Sequence, residues 1–390
     1  MISNALRSVA TVFLLTTCSV GVASVAMIAP AEAGVRPAVG KPLQAAIALA
    51  NAGHSDAALA KVREAESASG LTGAEQQAIA QTKAFIAAKT GNFSGGGGSG
   101  TAARAKFAAD YNAGRYGAVT GEDVELLRKY GAYDYDNQII VAQAYYLSGR
   151  LQESIKLLHD LTGGSHASES ALSLMYTVAY KAGDNEAMRS ALERLVADYN
   201  KPQYWANLFQ AVEGSRGLKD HQNLDLYRLR LLTGAMKTSD DYETAAELAI
   251  EFNSATEAAS IVQKGLDAKI LTGDHPMKLL NTAKTLAASD AANLPRAIAA
   301  AKAAKTGDAA VKYGEDLWGQ GRFQDAIDLI QTGIAKGVSD IGNAQIRLGI
   351  AYLGAGQRDA AIKAFNAVPK DDTNNAMIAH LWAIYTRTSR

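Results

Sequence analysis

Cysteine is almost missing from this sequence, and the shortage limits the chemistry that the chain can perform. Cys18 is the single cysteine among 390 residues, so the chain can form neither an internal disulfide nor a zinc site built from several thiolates. Charge of one sign is also lacking, because 39 basic residues balance 39 acidic ones. A protein that binds nucleic acid needs basic residues in excess to neutralise phosphates. Nucleic acid is therefore not an expected partner.

The usual motifs of catalysis and metal binding are missing as well. The sequence has no G-x-S-x-G turn, no H-E-x-x-H helix and no G-x-x-x-x-G-K-[ST] loop, the signatures of an acyl hydrolase, a zinc protease and a phosphate-binding loop. The acidic pairs at 240–241 and 371–372 stand where helices are expected to begin, and carboxylates there cap free N–H groups. The sequence predicts a protein that is not an enzyme and has no cofactor and no metal site.

The first 33 residues have the composition of an export signal. Arg7 supplies a positive start, an apolar stretch covers 9–30, and Ala31 and Ala33 form an A-x-A cleavage pattern. The pattern predicts cleavage after Ala33 and a mature chain that begins at Gly34. We expect that chain to lie in the periplasm of a Gram-negative bacterium without membrane insertion. A chain cleaved there holds no cysteine, which excludes thiol catalysis.

Two alternatives would keep the chain on a membrane. About 20 apolar residues can span a bilayer, so an uncleaved signal would act as an anchor. The stretch "LTTC" also resembles a lipoprotein box, in which Cys18 would carry the lipid.

The order of large, small and aromatic residues repeats along the rest of the chain. "LGIAYLGAGQRDAAIKAF" (348–365) aligns with "YGEDLWGQGRFQDAIDLI" (313–330) at an offset of 35 residues. Three small residues align in this comparison: Gly314 with Gly349, Gly321 with Gly356, and Ala326 with Ala361. Further back, Gly149 and Gly183 are 34 residues apart. A fixed period of this length indicates stacked helical hairpins.

These positions resemble the tetratricopeptide repeat family. The resemblance depends on Leu348, Gly349 and Tyr352 in a first helix, Gly356 at the turn, and Ala361 and Phe365 in a second helix. It is clear over 136–390 and fainter over 42–92. It implies an all-α solenoid of helical hairpins in a right-handed superhelix, since each hairpin buries its apolar face only against its neighbours.

The domain organisation follows from the repeat and its interruptions. We expect a cleaved signal over 1–33, a helical repeat region over 34–93, a flexible linker "SGGGGSG" over 94–100, and a solenoid over 101–390. The last segment, 376–390, has the spacing of a first helix with no second helix after it, so it is expected to cap the solenoid. Pro295 is placed for the first turn of a helix.

Large side chains follow the turn-proximal aromatic position in four repeats. In the repeat family the residue there faces the concave groove, and in this chain it is Tyr146, Tyr180, Trp318 or Leu353. One interpretation is that these residues pack between neighbouring hairpins. The other is a stripe that docks a peptide, since aromatic side chains serve as anchors in such grooves.

The resemblance implies a function that is not catalytic. We expect a protein-binding scaffold or adaptor of the bacterial envelope, with protein or peptide partners. "DYNKPQYWANL" and "YRLRLLTGAMKTSDDYETAAELA" look similar to a group of exported proteobacterial repeat proteins, which supports the compartment. The alternatives are an accessory module of outer-membrane transport or assembly of the TonB type, and a protein that binds peptidoglycan or polysaccharide.

Overall fold

The computed structural model describes residues 35–90, 99–165, 167–213 and 217–389. Within these ranges all regular elements are helices, and the predicted all-α fold of helical hairpins is confirmed. No helix in the described part is long and apolar enough to span a bilayer. The predicted export signal, with Ala31, Ala33 and Gly34 at its cleavage site, lies outside the described residues.

The chain forms two compact units, with the boundary between Asp184 and Asn185. Unit 1 contains nine helices in its described part: α1 (Pro37–Asn51), α2 (Ser55–Glu66), α3 (Gly73–Thr90), α4 (Ser99–Asn112), α5 (Tyr116–Val119), α6 (Glu122–Lys129), α7 (Tyr135–Leu147), α8 (Leu151–Thr162) and α9 (Glu169–Ala182). Unit 2 contains the helices α10 (Asn185–Tyr199), α11 (Pro202–Glu213), α12 (Asp220–Leu232), α13 (Ser239–Glu251), α14 (Ala255–Asp267), α15 (Asp274–Ala303), α16 (Asp308–Gly319), α17 (Phe323–Lys336), α18 (Ile341–Gly354), α19 (Arg358–Asn366) and α20 (Thr373–Thr388).

Two apolar clusters stabilise unit 1. The helices α1, α2 and α3 bury the first cluster around Val39, Val62 and Ile86, and the second gathers around Phe107 and Leu127. Along the sequence, the predicted linker 94–100 comes after the first cluster and before the second, and most of it lies outside the described residues. Its last two residues begin α4, which packs on α3. The predicted domain boundaries stay a prediction, and the boundary after Asp184 was not expected from the sequence.

In unit 2 the repeated small residues lie where two helices of a hairpin meet. A Cβ atom on Gly349 in α18 would lie 2.6 Å from Phe365 Cδ1 in α19, and one on Gly314 in α16 would overlap Ile330 in α17. Ala326 and Ala361 are fully buried in the second helices. The hairpins therefore close more tightly than any larger side chain would allow.

The turns of these hairpins use a left-handed backbone. Gly356 has φ of 74° and Gly321 of 75°, a region that a residue with a Cβ atom enters only with strain. The turn residues Gly149 and Gly183 in unit 1 have φ of 80° and 71°.

One expectation about a helix start is wrong. Pro295 was expected in the first turn of a helix, but it lies inside α15, which continues from Asp274 to Ala303. Proline removes one backbone donor from a helix and leaves a carbonyl one turn earlier without its bond. Pro295 is exposed, so water can hydrate that carbonyl and the helix continues.

Carboxylates cap helices as the sequence indicated. The side chain of Asp241, in the first turn of α13, accepts bonds of 2.9 Å from the backbone N–H groups of Lys237 and Thr238. The side chain of Asp372 accepts a bond from the backbone N–H of Asn375 at the start of α20. One acid of each predicted pair, Asp241 and Asp372, therefore accepts bonds at a helix start.

The final helix α20 packs on more than the last hairpin. The ring of Trp382 stacks on Phe365 of α19 with centroids 6.0 Å apart, which covers the hairpin end as expected. On the other side, Tyr385 contacts Trp205 of α11 with centroids 6.3 Å apart, and α20 also packs on α10 and α12. The helix thus joins the first and last helices of unit 2.

Candidate functional site

Unit 2 contains a network of buried charged side chains. Three carboxylates and two guanidinium groups from four helices form it: Asp225 and Arg228 in α12, Glu257 in α14, Glu315 in α16, and Arg347 in α18. Each of these residues is at most 9% exposed. Charges so far from water are tolerated only when each has a partner.

Arg228 is the centre of this network. Its Nε and Nη2 atoms donate to the two oxygens of Glu257 over 2.7 and 2.6 Å, a bidentate pair. It also donates to Asp225 Oδ1 over 3.0 Å and to Glu315 Oε1 over 2.6 Å. Its guanidinium carbon lies 5.1 Å from the ring centroid of Trp318. Burial alone would lower the pKa of Arg228, but the carboxylates hold it well above its usual value.

Arg347 lies between two of the same carboxylates. It donates to Asp225 Oδ1, and its Nε lies 2.9 Å from Glu315 Oε2, close enough for an ion pair but not aligned as a hydrogen bond. Burial would raise the pKa of Glu315, but the charges of Arg347 and Arg228 outweigh it and lower the pKa. Glu315 is therefore ionised at neutral pH.

A cavity of about 260 Å³ lies against this network. Arg347 and Glu315 form part of its wall, and the rest comes from the start of α12, the corner between α13 and α14, and the first turns of α16 and α18. Its lining combines aliphatic, aromatic, acidic, basic and amide groups: His221, Phe252, Asn253, Asp308, Val311, Lys312, Glu315, Val338, Ser339, Asp340, Asn343, Ala344 and Arg347.

Asp340, Asn343 and His221 place polar side-chain atoms in the cavity wall. Asp340 caps α18 with Oδ1, which accepts from the backbone N–H of Asn343 over 2.7 Å, and its Oδ2 lies 3.8 Å from His221 Nε2. Among the described residues no hydrogen bond reaches His221 Nε2 or Asn343 Oδ1, although both atoms are buried. Burial, and then the charge of Arg347, lower the pKa of His221. The imidazole is therefore neutral at neutral pH.

A second, much smaller cavity is lined by Glu257 and its neighbours. Its volume is about 10 Å³, and Ser254, Asp290 and Asp316 line it. Burial, and then the charges of Glu315 and Asp290, raise the pKa of Asp316 to about 7. The space matches one water molecule and is too small for a substrate.

Unit 1 has an ion-pair cluster of its own. Asp110, Glu122 and Asp123 come close enough together to hold a cation. Lys106 Nζ lies 2.7 Å from Asp110, 3.0 Å from Glu122 and 2.5 Å from Asp123. Burial would lower the pKa of Lys106, but these carboxylates raise it. The chain therefore supplies the cation of this cluster itself.

The four residues of the predicted groove lie in different units. In unit 1, Tyr180 is 71% exposed and Tyr146 is half-buried, with Lys181 Nζ 5.1 Å from its ring centroid. In unit 2, Trp318 and Leu353 are half-buried, and Trp318 packs against the apolar cluster of α16 to α18 as well as on Arg228. The single stripe of aromatic anchors stays a prediction.

Sequence reasoning missed the charge network and the cavity beside it. One signal was present, because Arg228 and Arg347 each interrupt an apolar helix, in "LDLYRLRLL" and "AQIRLGIAYL". An arginine within such a pattern is either exposed or paired. The sequence alone does not say which, since the partners lie 29, 87 and 122 residues away.

Comparison with known proteins agrees with the repeat period. Residues 317–383 match the tetratricopeptide repeat family, a class whose fold is typical of protein-interaction scaffolds without catalytic activity. This match covers α17 to α19 and part of each flanking helix, including every hairpin position quoted above from Gly321 to Phe365. No curated protein matches the chain.

Two solved structures are similar to the chain at low identity. The TPR domain of P58(IPK) is 15% identical, with 90% of this chain and 79% of that chain covered and a TM-score of 0.25. The APC/C hetero-tetramer Cut9-Hcn1 is 14% identical, with 90% and 78% covered and a TM-score of 0.21. Scores this low carry no argument about architecture or function.

Proposed function

We propose that this chain is a non-enzymatic adaptor that binds a protein partner, with the cavity of unit 2 as an anchoring point. The observation that carries the proposal is the cavity itself, about 260 Å³ lined by both apolar and polar groups, in a unit that contains the tetratricopeptide match. Stacked helical repeats commonly bind partners on the surfaces that they form together.

The size of the cavity favours a single side chain over a larger ligand. Pockets for drug-sized molecules and cofactors occupy roughly 300–1,000 Å³, so this cavity lies just below that range. Its rim carries Ser339 and Lys312, both exposed, which leaves room for a partner surface around the inserted group. A protein that inserts one anchor here would make its remaining contacts on neighbouring helices.

The binding proposal is tested by filling the cavity. Ser339→Trp places a bulky ring at the rim, and Ser289→Trp, on the exposed side of α15 in the same unit, is the matched control. The full chain and both variants are used to capture partners after crosslinking in cells, and their melting temperatures are measured. We expect Ser339→Trp to lose at least tenfold in recovered partner while its melting temperature falls only slightly, since it loses the exposed bond from Ser339 Oγ to Asp308 and keeps the bond from the backbone N–H. Equal recovery by both variants would refute the proposal.

The predicted aromatic stripe requires a test of its own. Tyr146→Ala, Tyr180→Ala and Trp318→Ala are compared for partner recovery and for melting temperature. An anchoring ring should weaken binding by roughly 1–2 kcal/mol without a change in melting. Lower melting with retained partners would identify the ring as a packing residue.

We further propose that the adaptor acts in the bacterial envelope after export. The A-x-A pattern at Ala31 and Ala33 supports this location. Cell fractionation and N-terminal sequencing should find a periplasmic chain that begins at Gly34. A mature chain that starts with lipid-modified Cys18, or one that keeps Met1, would contradict the proposal.

A further inference from the structure

We infer that the anchor received by the unit 2 cavity is a lysine or arginine side chain of the partner. This inference rests on the proposed binding function and adds the chemistry of the inserted group. Three observations support it: the charge balance around the cavity, the position of its acceptor atoms, and the apolar walls beside them.

The charge balance favours a cation. In and around the wall stand five carboxylates, in Asp225, Glu257, Asp308, Glu315 and Asp340, against four cations, in Lys219, Arg228, Lys312 and Arg347. His221 adds no charge at neutral pH because burial and Arg347 lower its pKa. The region is negative overall, and a cation that enters it gains attraction strengthened by the buried surroundings.

The hydrogen-bonding atoms point to the same chemistry. Asp340 Oδ2 lies 3.8 Å from His221 Nε2, which is an acceptor when the proton of the neutral imidazole is on Nδ1. Asn343 lines the same cavity, and its buried Oδ1, like His221 Nε2, lacks a partner among the described residues. Ammonium and guanidinium groups carry several donors and no acceptor, so they satisfy this set. An incoming carboxylate would leave the acceptors unpaired and would face Asp340. The guanidinium charges of Arg228 and Arg347 are already opposed by their own carboxylates.

The remaining walls suit a long aliphatic stem. Phe252, Val311, Val338 and Ala344 line the cavity beside the acceptors, and Phe252 meets the His221 ring edge-on with centroids 6.2 Å apart. The methylene groups of lysine and arginine pack on such surfaces while the charged head reaches polar atoms. The face of an aromatic ring also attracts a cation. A small inorganic cation would leave this apolar area uncovered.

The inference is tested with defined small probes on the full chain. Nα-acetyl-lysine amide and Nα-acetyl-arginine amide are titrated, and saturation-transfer NMR reports binding. The norleucine and citrulline analogues are neutral controls of similar shape, and the glutamate analogue has the opposite charge. We expect the cationic probes to bind at least fivefold more tightly than their neutral counterparts and the glutamate analogue not to bind.

Asp340→Asn is the informative variant, since asparagine also caps helices and the substitution removes only the charge. We expect it to weaken the binding of the cationic probes at least fivefold, whereas Asp359→Asn, at an exposed position of α19, leaves their binding unchanged. Equal binding of neutral probes, binding of the glutamate analogue, undiminished binding to Asp340→Asn, or no binding at all would overturn the inference. Failure of the probes with continued partner loss in Ser339→Trp would leave the adaptor proposal intact and remove only the basic anchor.

Discussion

Asp316 shows how one buried carboxyl group can make unit 2 sensitive to pH. It is 8% exposed, and its pKa of about 7 lies well above the value of about 4 for an unfolded carboxyl group. Between these values the folded chain keeps a proton that the unfolded chain releases. Stability therefore falls as the pH rises from about 4 to about 7. Above pH 7 Asp316 lowers the free energy of unfolding by its full amount.

Asp316→Asn should remove this unfavourable contribution. The neutral amide has nearly the same shape, so we expect the variant and parent to unfold alike near pH 4. At pH 7 and above, the variant should be more stable by about 2 kcal/mol, less than the full shift implies because the site can relax. Urea midpoints measured from pH 4 to 8 test this, with exposed Asp359→Asn as control. A difference that stays constant with pH would contradict the assigned pKa.

Substitution of Arg228 tests whether the buried charges of unit 2 act as one network. Arg228→Met keeps the volume but leaves Glu257 and Glu315 facing each other without their shared cation. Removing one partner of a buried pair costs about 3–5 kcal/mol. Arg322→Met, in an ion pair whose side chains are 51% and 54% exposed, should cost at most about 1 kcal/mol. Denaturant unfolding of both variants gives the comparison, and equal losses would show that the network adds nothing.

At the scale of the helix, the close approach in the α18–α19 hairpin is the most exacting contact. Gly349→Ala would bring Cβ to 2.6 Å from Phe365 Cδ1, and Phe365 cannot retreat because it stacks on Trp382. We expect a loss of about 1–3 kcal/mol from overpacking. In Gly319→Ala the nearest atom, Glu257 Cβ, is 3.8 Å away. That variant should be neutral or slightly more stable, since alanine favours helix. Thermal unfolding distinguishes the two variants. Similar melting temperatures would contradict the close contact between Gly349 and Phe365.

The same hairpins show what the sequence predicts and what it leaves open. Gly349, Phe365 and Gly356 were predictable because the repeat places each at a fixed distance from the next, so local contacts follow from local spacing. Pro295 was wrongly expected in the first turn of a helix. A helix continues through a proline where water can reach the carbonyl that loses its bond, and the exposure of that carbonyl cannot be read from the proline alone. The Arg228 network and the cavity were not predictable, since they join helices that are distant in sequence and belong to no repeat position.

At the scale of the whole molecule, the composition of the chain and its division into compact units carry different information. The glycine-rich stretch predicts a linker over 94–100, which stays a prediction, and the compact units divide after Asp184. Gly183, beside that division, looks like the other repeat glycines. Composition identifies a segment that packs poorly by itself. It does not identify where the chain divides into compact units, because that depends on packing among side chains within each unit.

Removal of the last helix, α20, tests how unit 2 is stabilised. In an open stack of hairpins, a terminal helix contacts only its neighbour, so its loss is a local event. In unit 2, α20 packs on α19 through Trp382 and Phe365, and also on α10, α11 and α12. Deletion of 376–390 should therefore uncover Trp205 as well as Phe365, and lower the melting temperature of unit 2 together with its solubility.

Two point variants test the same prediction if the truncated chain aggregates. Trp382→Ala empties a site that is fully buried and should cost about 3–5 kcal/mol, whereas exposed Arg387→Ala on the same helix should change stability by less than about 0.5 kcal/mol. Hydrogen exchange gives the decisive pattern. If α20 joins both ends of the unit, Trp382→Ala will speed exchange in α10 and α11 as well as in α19. Faster exchange confined to α19 would mean that α20 covers one hairpin only, as a simple cap does.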